Sequence, residues 1–339
     1  MSSIQNPSLP PNNSSICYWN NVSGCAATIA ICNAASKVDA PILMLCESNE
    51  VVERSIRELE YFAQGVENLP VFSLPNWETL PYDSFSPHQD IISQRLSALY
   101  HLPKLTRGIL VLSISSLMHR LAPHQYIVAN SLDLQVGQLL EIQDMKKQLV
   151  LAGYQSVDSV FEHGEFAIRG SIIDIFPMGS IFPYRIDLFD DEIETLRTFN
   201  PESQRSIEKV DKIKLLPARE YPLNEHGISA FRNKFHELFN VDPRQCPFYQ
   251  DVSDGIHSPG LEYYLSLFHE SLDSLFDFMP SNTIIVKLGK LKETGEKFWL
   301  DVENRYKDKL VDKYRPVLTP DKVFIGIVET LSLLKNYRQ

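Results

Sequence analysis

Residues 162–199 read EHGEFAIRGSIIDIFPMGSIFPYRIDLFDDEIETLRTF, a pattern that predicts three or four short strands at tight spacing. Successive side chains of a strand point to opposite faces. Alternation therefore predicts one face with Tyr184, Ile186 and Leu188, and a second face with Arg185, Asp187 and Phe189. The first set suits a core. The second set is polar but includes an aromatic ring, and it suits a protein-binding surface because arginine and aromatic residues are enriched at interface anchors.

The same residues carry a family resemblance, in the elements GEF, RG, DIFP and FDDEIE and in Arg185. They resemble the N-terminal module of the bacterial transcription-repair coupling factors, abbreviated Mfd, and, with variations, their relative UvrB. Further matching words are WETLPYDSFSPHQDIISQRLSAL at residues 77–99 and GLEY at residues 260–263. The resemblance covers residues 23–338, which is nearly the whole chain.

The resemblance implies that a small domain of the chain engages UvrA through Arg169, Arg185 and Phe189. It also implies a role in bacterial transcription-coupled nucleotide excision repair, with UvrA recruited to stalled transcription complexes. Full-length members also have an RNA-polymerase-binding domain and an ATP-dependent DNA translocase motor. Neither fits in this chain, so we expect an N-terminal fragment without catalytic residues, whose full-length form adds RNA polymerase and DNA as partners.

The residues alone leave another interpretation of this trio open. The arginines would pair with nearby carboxylates, as surface charges often do, and Phe189 would cover the edge of a small core. Under the binding interpretation, Arg185 shares a strand face with Phe189 and offers a planar donor fork to the partner. Arg185 is then expected to be the most sensitive of the three.

The order of the patterns predicts an α/β fold, with a degenerate P-loop NTPase-like parallel-sheet body and an inserted small α+β domain. Four segments follow: a flexible tail at 1–14, the first part of the body at 15–130, the inserted UvrA-binding domain at 131–216, and the second part of the body at 217–339. By resemblance, the three folded segments correspond to domains 1a, 2 and 1b of UvrB. A buried strand at 283–288 is expected to rejoin the first sheet.

Several helices of the body are predicted from periodicity and capping residues. They lie at 49–62, 91–101, 225–240 and 261–278. A short helix after the strand at 109–114 is expected to be capped by Ser115 or Ser116.

Residues 23–28 read SGCAAT where the first strand-to-helix connection of an NTPase carries its phosphate loop. The segment has a glycine and a threonine but lacks the lysine that holds the β and γ phosphates. We therefore expect no nucleotide cofactor. The competing function is a UvrB-like ATP-dependent DNA damage-binding helicase subunit, and an autonomous structural protein is a third candidate.

Two other segments contain residue types that could support DNA binding or hydrolysis. Residues 77–88 include Tyr82 and Phe85, but no Lys or Arg occurs between Trp77 and Asp90, so we expect the loop to pack on the body rather than stack bases. Carboxylates surround the small domain near His163, without a Ser or Cys nucleophile or a set of metal ligands. Solvated turns and salt bridges explain them better than hydrolase chemistry.

Composition limits the number of domains and the kinds of partner and site that the chain can have. The 339 residues, 44% hydrophobic and 22% charged, suit two or three soluble domains. A net charge of -11 disfavours nucleic acid as the principal partner. The five cysteines include no CxxC pair, so neither a disulfide framework nor a zinc site is indicated. The polar N-terminus and the lack of a long apolar run predict a cytoplasmic chain without a membrane partner.

Overall fold

The computed structural model describes residues 4–11, 15–66 and 69–339. The first part of the chain alternates helices with strands. In chain order these are α1 (Ala26–Ala35), β1 (Pro41–Cys46), α2 (Asn49–Ala63), β2 (Val71–Ser73), α3 (Gln89–His101), β3 (Gly108–Ser113), α4 (Ile114–Leu117) and α5 (His124–Ala129).

The two central strands of this part are buried along their whole length. Every residue of β1 and β3 is buried, as expected for parallel strands covered on both faces. Helix α2 begins after Ser48, whose hydroxyl accepts a hydrogen bond from the Val51 amide at 3.4 Å. Helix α4 corrects a prediction: its N-cap is Ser113, not Ser115 or Ser116, and Ser113 Oγ accepts from the Ser116 amide at 3.3 Å. The strand ends at Ser113, so this hydroxyl is the one within reach of the first turn.

The middle of the chain forms a separate small sheet. Its elements are β4 (Leu132–Gln135), α6 (Ile142–Leu151), β5 (Gln155–Ser156), β6 (Glu165–Arg169), β7 (Ile172–Ile175), β8 (Tyr184–Phe189), β9 (Glu192–Phe199), β10 (Ser206–Val210) and β11 (Lys212–Leu215). Six strands pair in the order β10-β9-β8-β7-β6-β5, and β11 pairs with β4 in a two-stranded ribbon. The pairings from β6 to β10 are antiparallel, as short hairpin connections require.

The last part of the chain is mostly helical. Its elements are α7 (Glu225–Leu238), α8 (Pro247–Ser253), α9 (Leu265–Phe268), α10 (Leu275–Phe278), β12 (Ile284–Leu288), α11 (Leu291–Lys309), α12 (Pro320–Val323) and α13 (Ile327–Leu334). Short 3-10 helices lie at Leu102–Lys104, Pro243–Gln245 and Leu261–Tyr264. Strand β12 pairs in parallel with β1, which gives a sheet in the order β12-β1-β3-β2. The fold class is therefore α/β, with a parallel sheet built from both ends of the chain.

The helix predicted over residues 261–278 is broken in the structure. After α9 the backbone becomes extended at His269, whose Nε2 donates to the Glu220 carbonyl at 2.8 Å. Helix α10 then starts afresh, because Ser274 and Asp277 form a capping box. A local cap and one tertiary hydrogen bond have overridden a continuous apolar pattern.

The small sheet packs on the body through a shared core. One cluster of buried side chains extends from Leu43 and Leu110 of the parallel sheet to Ile173 and Ile186 of the six-stranded sheet. The chain leaves the body at β4 and returns at β11. The small domain is therefore attached to the body by this shared buried core as well as by the β4-β11 ribbon.

The described part of the predicted tail contacts α1. Asn33 Nδ2 donates to the Ile4 carbonyl at 3.0 Å, and Lys37 Nζ donates to the Gln5 carbonyl at 2.8 Å. The rest of that tail, at residues 1–3 and 12–14, lies outside the described residues. No helix in the described part of the chain has both the length and the apolar character needed to cross a membrane.

Candidate protein-binding face

The six-stranded sheet has one buried face and one polar face. On the buried face, Phe166, Ile173 and Ile186 are fully covered by the main core. The opposite face, called the outer face below, includes Ala167, Arg169, Ile172, Asp174, Arg185, Asp187, Phe189, Glu192, Thr195, Arg197 and Phe199. Arg185, Asp187 and Phe189 therefore share a face, as the alternation predicts.

Strand pairing aligns the outer face in rows. One row across β6 to β9 is Ala167, Asp174, Arg185 and Arg197, and the next is Arg169, Ile172, Asp187 and Thr195. The register shifts by one residue after the second row, where the extra residue, Glu194, belongs to β9. Strand β8 itself keeps its alternation, so the shift does not move Phe189 to the buried face.

Asp174 is the electrostatic centre of the outer face. Its side chain has no solvent exposure. Arg185 donates to it twice, from Nε to Oδ1 at 2.7 Å and from Nη2 to Oδ2 at 2.9 Å. Arg169 Nη2 donates to the same Oδ2. A buried carboxylate is costly unless it is paired and hydrogen-bonded, and here two guanidinium groups pair with it.

Arg185 is held on several sides. Its third donor, Nη1, reaches the Gln204 carbonyl at 3.3 Å, and its guanidinium lies 5.0 Å from the centre of the Phe199 ring. The hydrogen bonds to Asp174 raise the pKa of Arg185 above its ordinary value, so the group is always charged. Its side chain is only 18% exposed, whereas that of Arg169 is 50% exposed.

Phe189 lies at the end of β8, just before the turn at Asp190. It is 69% exposed, and Asp190 adopts the left-handed backbone conformation with φ 52°. The small core on the outer face is built instead by Val160, Ala167, Phe176 and Phe199. A ring so exposed covers little of any core.

The alternative interpretation of Arg169, Arg185 and Phe189, as ion pairs plus a core cover, therefore holds for the two arginines but not for Phe189. Arg169 and Arg185 do pair with a nearby carboxylate, Asp174. Phe189 does not cover the edge of a core. The structure leaves one arginine half-exposed and one aromatic ring mostly exposed on the same face of the sheet.

The outer face carries a second charged group, which the sequence patterns did not predict. Thr195 Oγ1 donates to Asp187 Oδ2 at 2.6 Å, and Arg197 Nη2 lies 3.8 Å from the same oxygen. Arg197 Nε is buried and has no hydrogen-bond partner among the described residues. The alternation along β9 could have placed Arg197 on the outer face, but its partner depends on the register with β8.

The SGCAAT segment leads into α1 without a strand ahead of it. Residues 15–25 form no strand, so the strand-to-helix connection expected there is absent. Thr28 is buried, and its hydroxyl lies 2.7 Å from the Cys25 carbonyl and 2.8 Å from Glu58 Oε2. A hydroxyl held by two protein oxygens and facing a carboxylate is poorly placed to meet a metal-bound phosphate.

The proline-rich loop at residues 77–88 packs on the body through two of its aromatic side chains. Trp77 and Tyr82 are buried, and both rings contact Tyr263. Tyr263 Oη in turn donates to the Leu80 carbonyl at 2.7 Å. Phe85, by contrast, is 69% exposed.

His163 joins the small domain to the body. Its Nδ1 lies 2.7 Å from Asp90 Oδ1 on α3, and its Nε2 lies 2.8 Å from the Ser180 carbonyl. Glu165 accepts from the amides of Phe161 and Glu162. Within residues 4–11, 15–66 and 69–339, no group of three His, Cys, Asp or Glu side chains is placed to hold a metal ion.

Comparison with known proteins places this face in a described domain family. The UvrB interaction domain family matches residues 132–221, which include the whole outer face. The chain is 41% identical to the transcription-repair-coupling factor of Escherichia coli K12 over 93% of its own length and 27% of that protein. It is 44% identical to the Haemophilus influenzae protein of the same name over 84% of the chain and 25% of that protein. A Myxococcus xanthus protein of this name is 31% identical over 71% of the chain.

The chain thus spans about a quarter of the length of the curated relatives it matches. The match covers both the body and the small domain, because it extends far beyond the UvrB interaction domain. The chain corresponds to the N-terminal region of the transcription-repair-coupling factors, and its residues 132–221 form a UvrB interaction domain.

Proposed function

We propose that this chain is a noncatalytic protein-interaction module that recruits UvrA to stalled transcription complexes in cytoplasmic nucleotide excision repair. The observation that carries the proposal is the outer face, where the half-exposed Arg169 and the exposed Phe189 lie beside Asp174 and Arg185 within the UvrB interaction domain. Exposed aromatic and arginine side chains are the residues that most often anchor a protein interface.

The proposal places no chemistry in the parallel-sheet body, which we regard as a degenerate P-loop NTPase-like fold. The segment at residues 23–28 has no lysine for the phosphates. The hydroxyl of Thr28 is already hydrogen-bonded within the protein. The motor activity, the RNA polymerase contact and the DNA contact then belong to other parts of the full-length relatives.

The test is a titration of UvrA with the purified chain and its variants. Alanine at Arg169, Arg185 or Phe189 should each cost about 1 to 4 kcal/mol of affinity, as truncated hot spots do. Matched controls on the body are Phe85→Ala, where the ring is also 69% exposed, and Arg54→Ala, where the side chain is 58% exposed. Wild-type affinity in all three outer-face variants would reject the proposal, and equal losses in the controls would point to misfolding instead.

A further inference from the structure

Arg169 and Arg185 share one buried carboxylate but use their donors differently. Arg185 directs Nε and Nη2 to Asp174 and Nη1 to the Gln204 carbonyl. Arg169 directs only Nη2 to Asp174, and it makes no second hydrogen bond among the described residues. All three guanidinium nitrogens of Arg185 therefore make a hydrogen bond within the protein, whereas Nε and Nη1 of Arg169 make none among the described residues and can meet an acceptor elsewhere.

Burial agrees with this division. Arg185 is 18% exposed and packs over Phe199, whereas Arg169 is 50% exposed. Gln204, which receives Nη1 of Arg185, donates its own Nε2 to the Val160 carbonyl at 2.9 Å. Arg185 is thus tied into the turn that connects β9 to β10. If Arg185 turned away from these contacts to meet a partner, the buried Asp174 carboxylate would lose two of its hydrogen bonds.

We infer that Asp174 is a positioning residue of the UvrA-binding face: it holds Arg169 as the guanidinium that the partner meets, and Arg185 contributes through Asp174 rather than by touching the partner. The inference rests on the proposed function. It reverses the expectation, drawn from strand alternation, that Arg185 is the most sensitive contact.

Positioning matters because a long exposed side chain loses freedom when it binds. Ordering a rotamer-rich side chain at an interface has an entropic cost, and a side chain already held in place loses less. Asp174 is rigid, since it is buried and pinned by Arg185 on both oxygens. Its bond to Arg169 therefore fixes the tip of a side chain that is half-exposed.

The arrangement also indicates the chemistry of the partner surface. Arg169, Ile172 and Asp187 occupy one row across β6 to β8, and Phe189 follows two residues later on the same face of β8. A guanidinium with two unused donor groups suits a carboxylate or carbonyl oxygen. An exposed ring on the same face suits an apolar recess, so the UvrA surface should offer an acceptor oxygen beside an apolar pocket.

The test is a set of double-mutant comparisons of UvrA affinity with the full chain. Asp174→Asn keeps the shape of the side chain but removes the charge that holds the arginines. We expect it to weaken binding by about tenfold. Arg185→Met, which keeps a long unbranched side chain but removes the guanidinium, should weaken binding in the wild type but have less than a twofold further effect in Asp174→Asn. Arg169→Ala should weaken binding by about tenfold in the wild type.

The outcomes separate this inference from the proposed function. An equal loss from Arg185→Met in both backgrounds would show that Arg185 contacts the partner directly and would overturn the inference. Wild-type affinity in Asp174→Asn would also overturn it. If Arg169→Ala, Phe189→Ala and Arg185→Met all bind normally, the proposed function itself fails. Melting curves of each variant identify any that do not fold.

A second measurement uses the wild-type chain and does not depend on the folding of a variant. Phenylglyoxal modifies accessible arginines, and mass spectrometry reports the rate at each position. Arg169 should react faster than Arg185 in the free chain, and UvrA should slow the reaction of Arg169 by about tenfold. Protection of Arg185 without protection of Arg169 would refute the assignment.

Discussion

Ser86 donates a hydrogen bond of 2.9 Å to the buried carboxyl group of Glu262. The same serine hydroxyl accepts from the Gly260 amide at 3.0 Å, so the proline-rich loop is joined to the GLEY segment at two points. Burial raises the pKa of Glu262 to about 7, and the negative charge of Glu220 acts in the same direction. The backbone hydrogen bond, Ser86 and Arg219 lower the pKa of Glu262, but burial dominates.

Glu262 should make the free energy of unfolding fall as pH rises. Between its ordinary pKa of 4.5 and the folded value of about 7, the folded chain keeps a proton that the unfolded chain has released. Stability is therefore lost across this window and levels off above it, by an amount on the order of 3 kcal/mol. Glu262→Gln should remove this slope. Urea unfolding at pH 5 and pH 8 gives the comparison, and an identical pH dependence in wild type and variant would contradict it.

The outer face shows what alternation can and cannot reveal. Period-2 alternation along β8 was enough to put Arg185 and Phe189 on one side of the sheet. It could not reveal that Asp174 lies directly opposite Arg185, because that depends on the register between β7 and β8. Register is set by the connection between the strands, here residues 176–183, whose conformation short-range patterns do not specify.

In the body, too, short-range sequence patterns predict only part of the helical structure. Capping chemistry predicted that α2 starts at Ser48 or Asn49, and the structure selects Ser48 as the cap. The apolar run at 261–278 gave no sign that His269 would leave the helix to bond the Glu220 carbonyl. Helix α11 was not predicted at all, since only Leu291, Gly295 and Val302 of its 19 residues are buried. Mostly exposed helices carry a weak apolar stripe, so periodicity alone misses them.

Removing one partner of the buried ion pair between Arg95 and Glu220 should be strongly destabilising. Arg95 is fully buried, its Nε lies 3.4 Å from Glu220 Oε1, and its Nη1 donates to the Pro75 carbonyl at 2.8 Å. Its guanidinium also lies 5.3 Å from the centre of the Trp77 indole ring. Glu220→Ala should reduce the free energy of unfolding by about 3 to 5 kcal/mol, because it leaves an uncompensated buried charge.

A double-mutant cycle checks this expectation. Arg95→Met in the Glu220→Ala background should recover part of the loss, since the isolated charge is then gone. Chemical denaturation of the four proteins gives the coupling free energy. Strict additivity of the two single changes would mean that the pair does not interact, and UvrA affinity serves as a control because both residues lie away from the outer face.

The body should not respond to nucleotide. Thr28 is buried with its hydroxyl against Glu58 and Cys25, and residues 23–28 contain no lysine. A ligand present at a hundred times its dissociation constant would stabilise the fold by about 2.7 kcal/mol, so binding would raise the melting temperature visibly. We expect no shift with Mg-ATP and no ATP turnover. Thr28→Val should lower stability by about 1 kcal/mol without changing the response to ATP. A shift seen in wild type and lost in Thr28→Val would contradict this prediction.

DNA binding by this chain should be weak and independent of sequence. Its net charge of -11 repels phosphates at long range, and no Lys or Arg occurs between Trp77 and Asp90. The structure adds a second reason, because Trp77 and Tyr82 are buried against Tyr263 and cannot stack on bases without unpacking the loop. Phe85 is the exposed ring of this loop, so Phe85→Ala tests whether stacking contributes at all.

The measurement is fluorescence anisotropy with a labelled duplex and a labelled single strand. At physiological salt the dissociation constants should lie in the nonspecific range of about 10⁻⁴ to 10⁻⁶ M. Submicromolar binding that Phe85→Ala abolishes would show instead that the loop grips DNA.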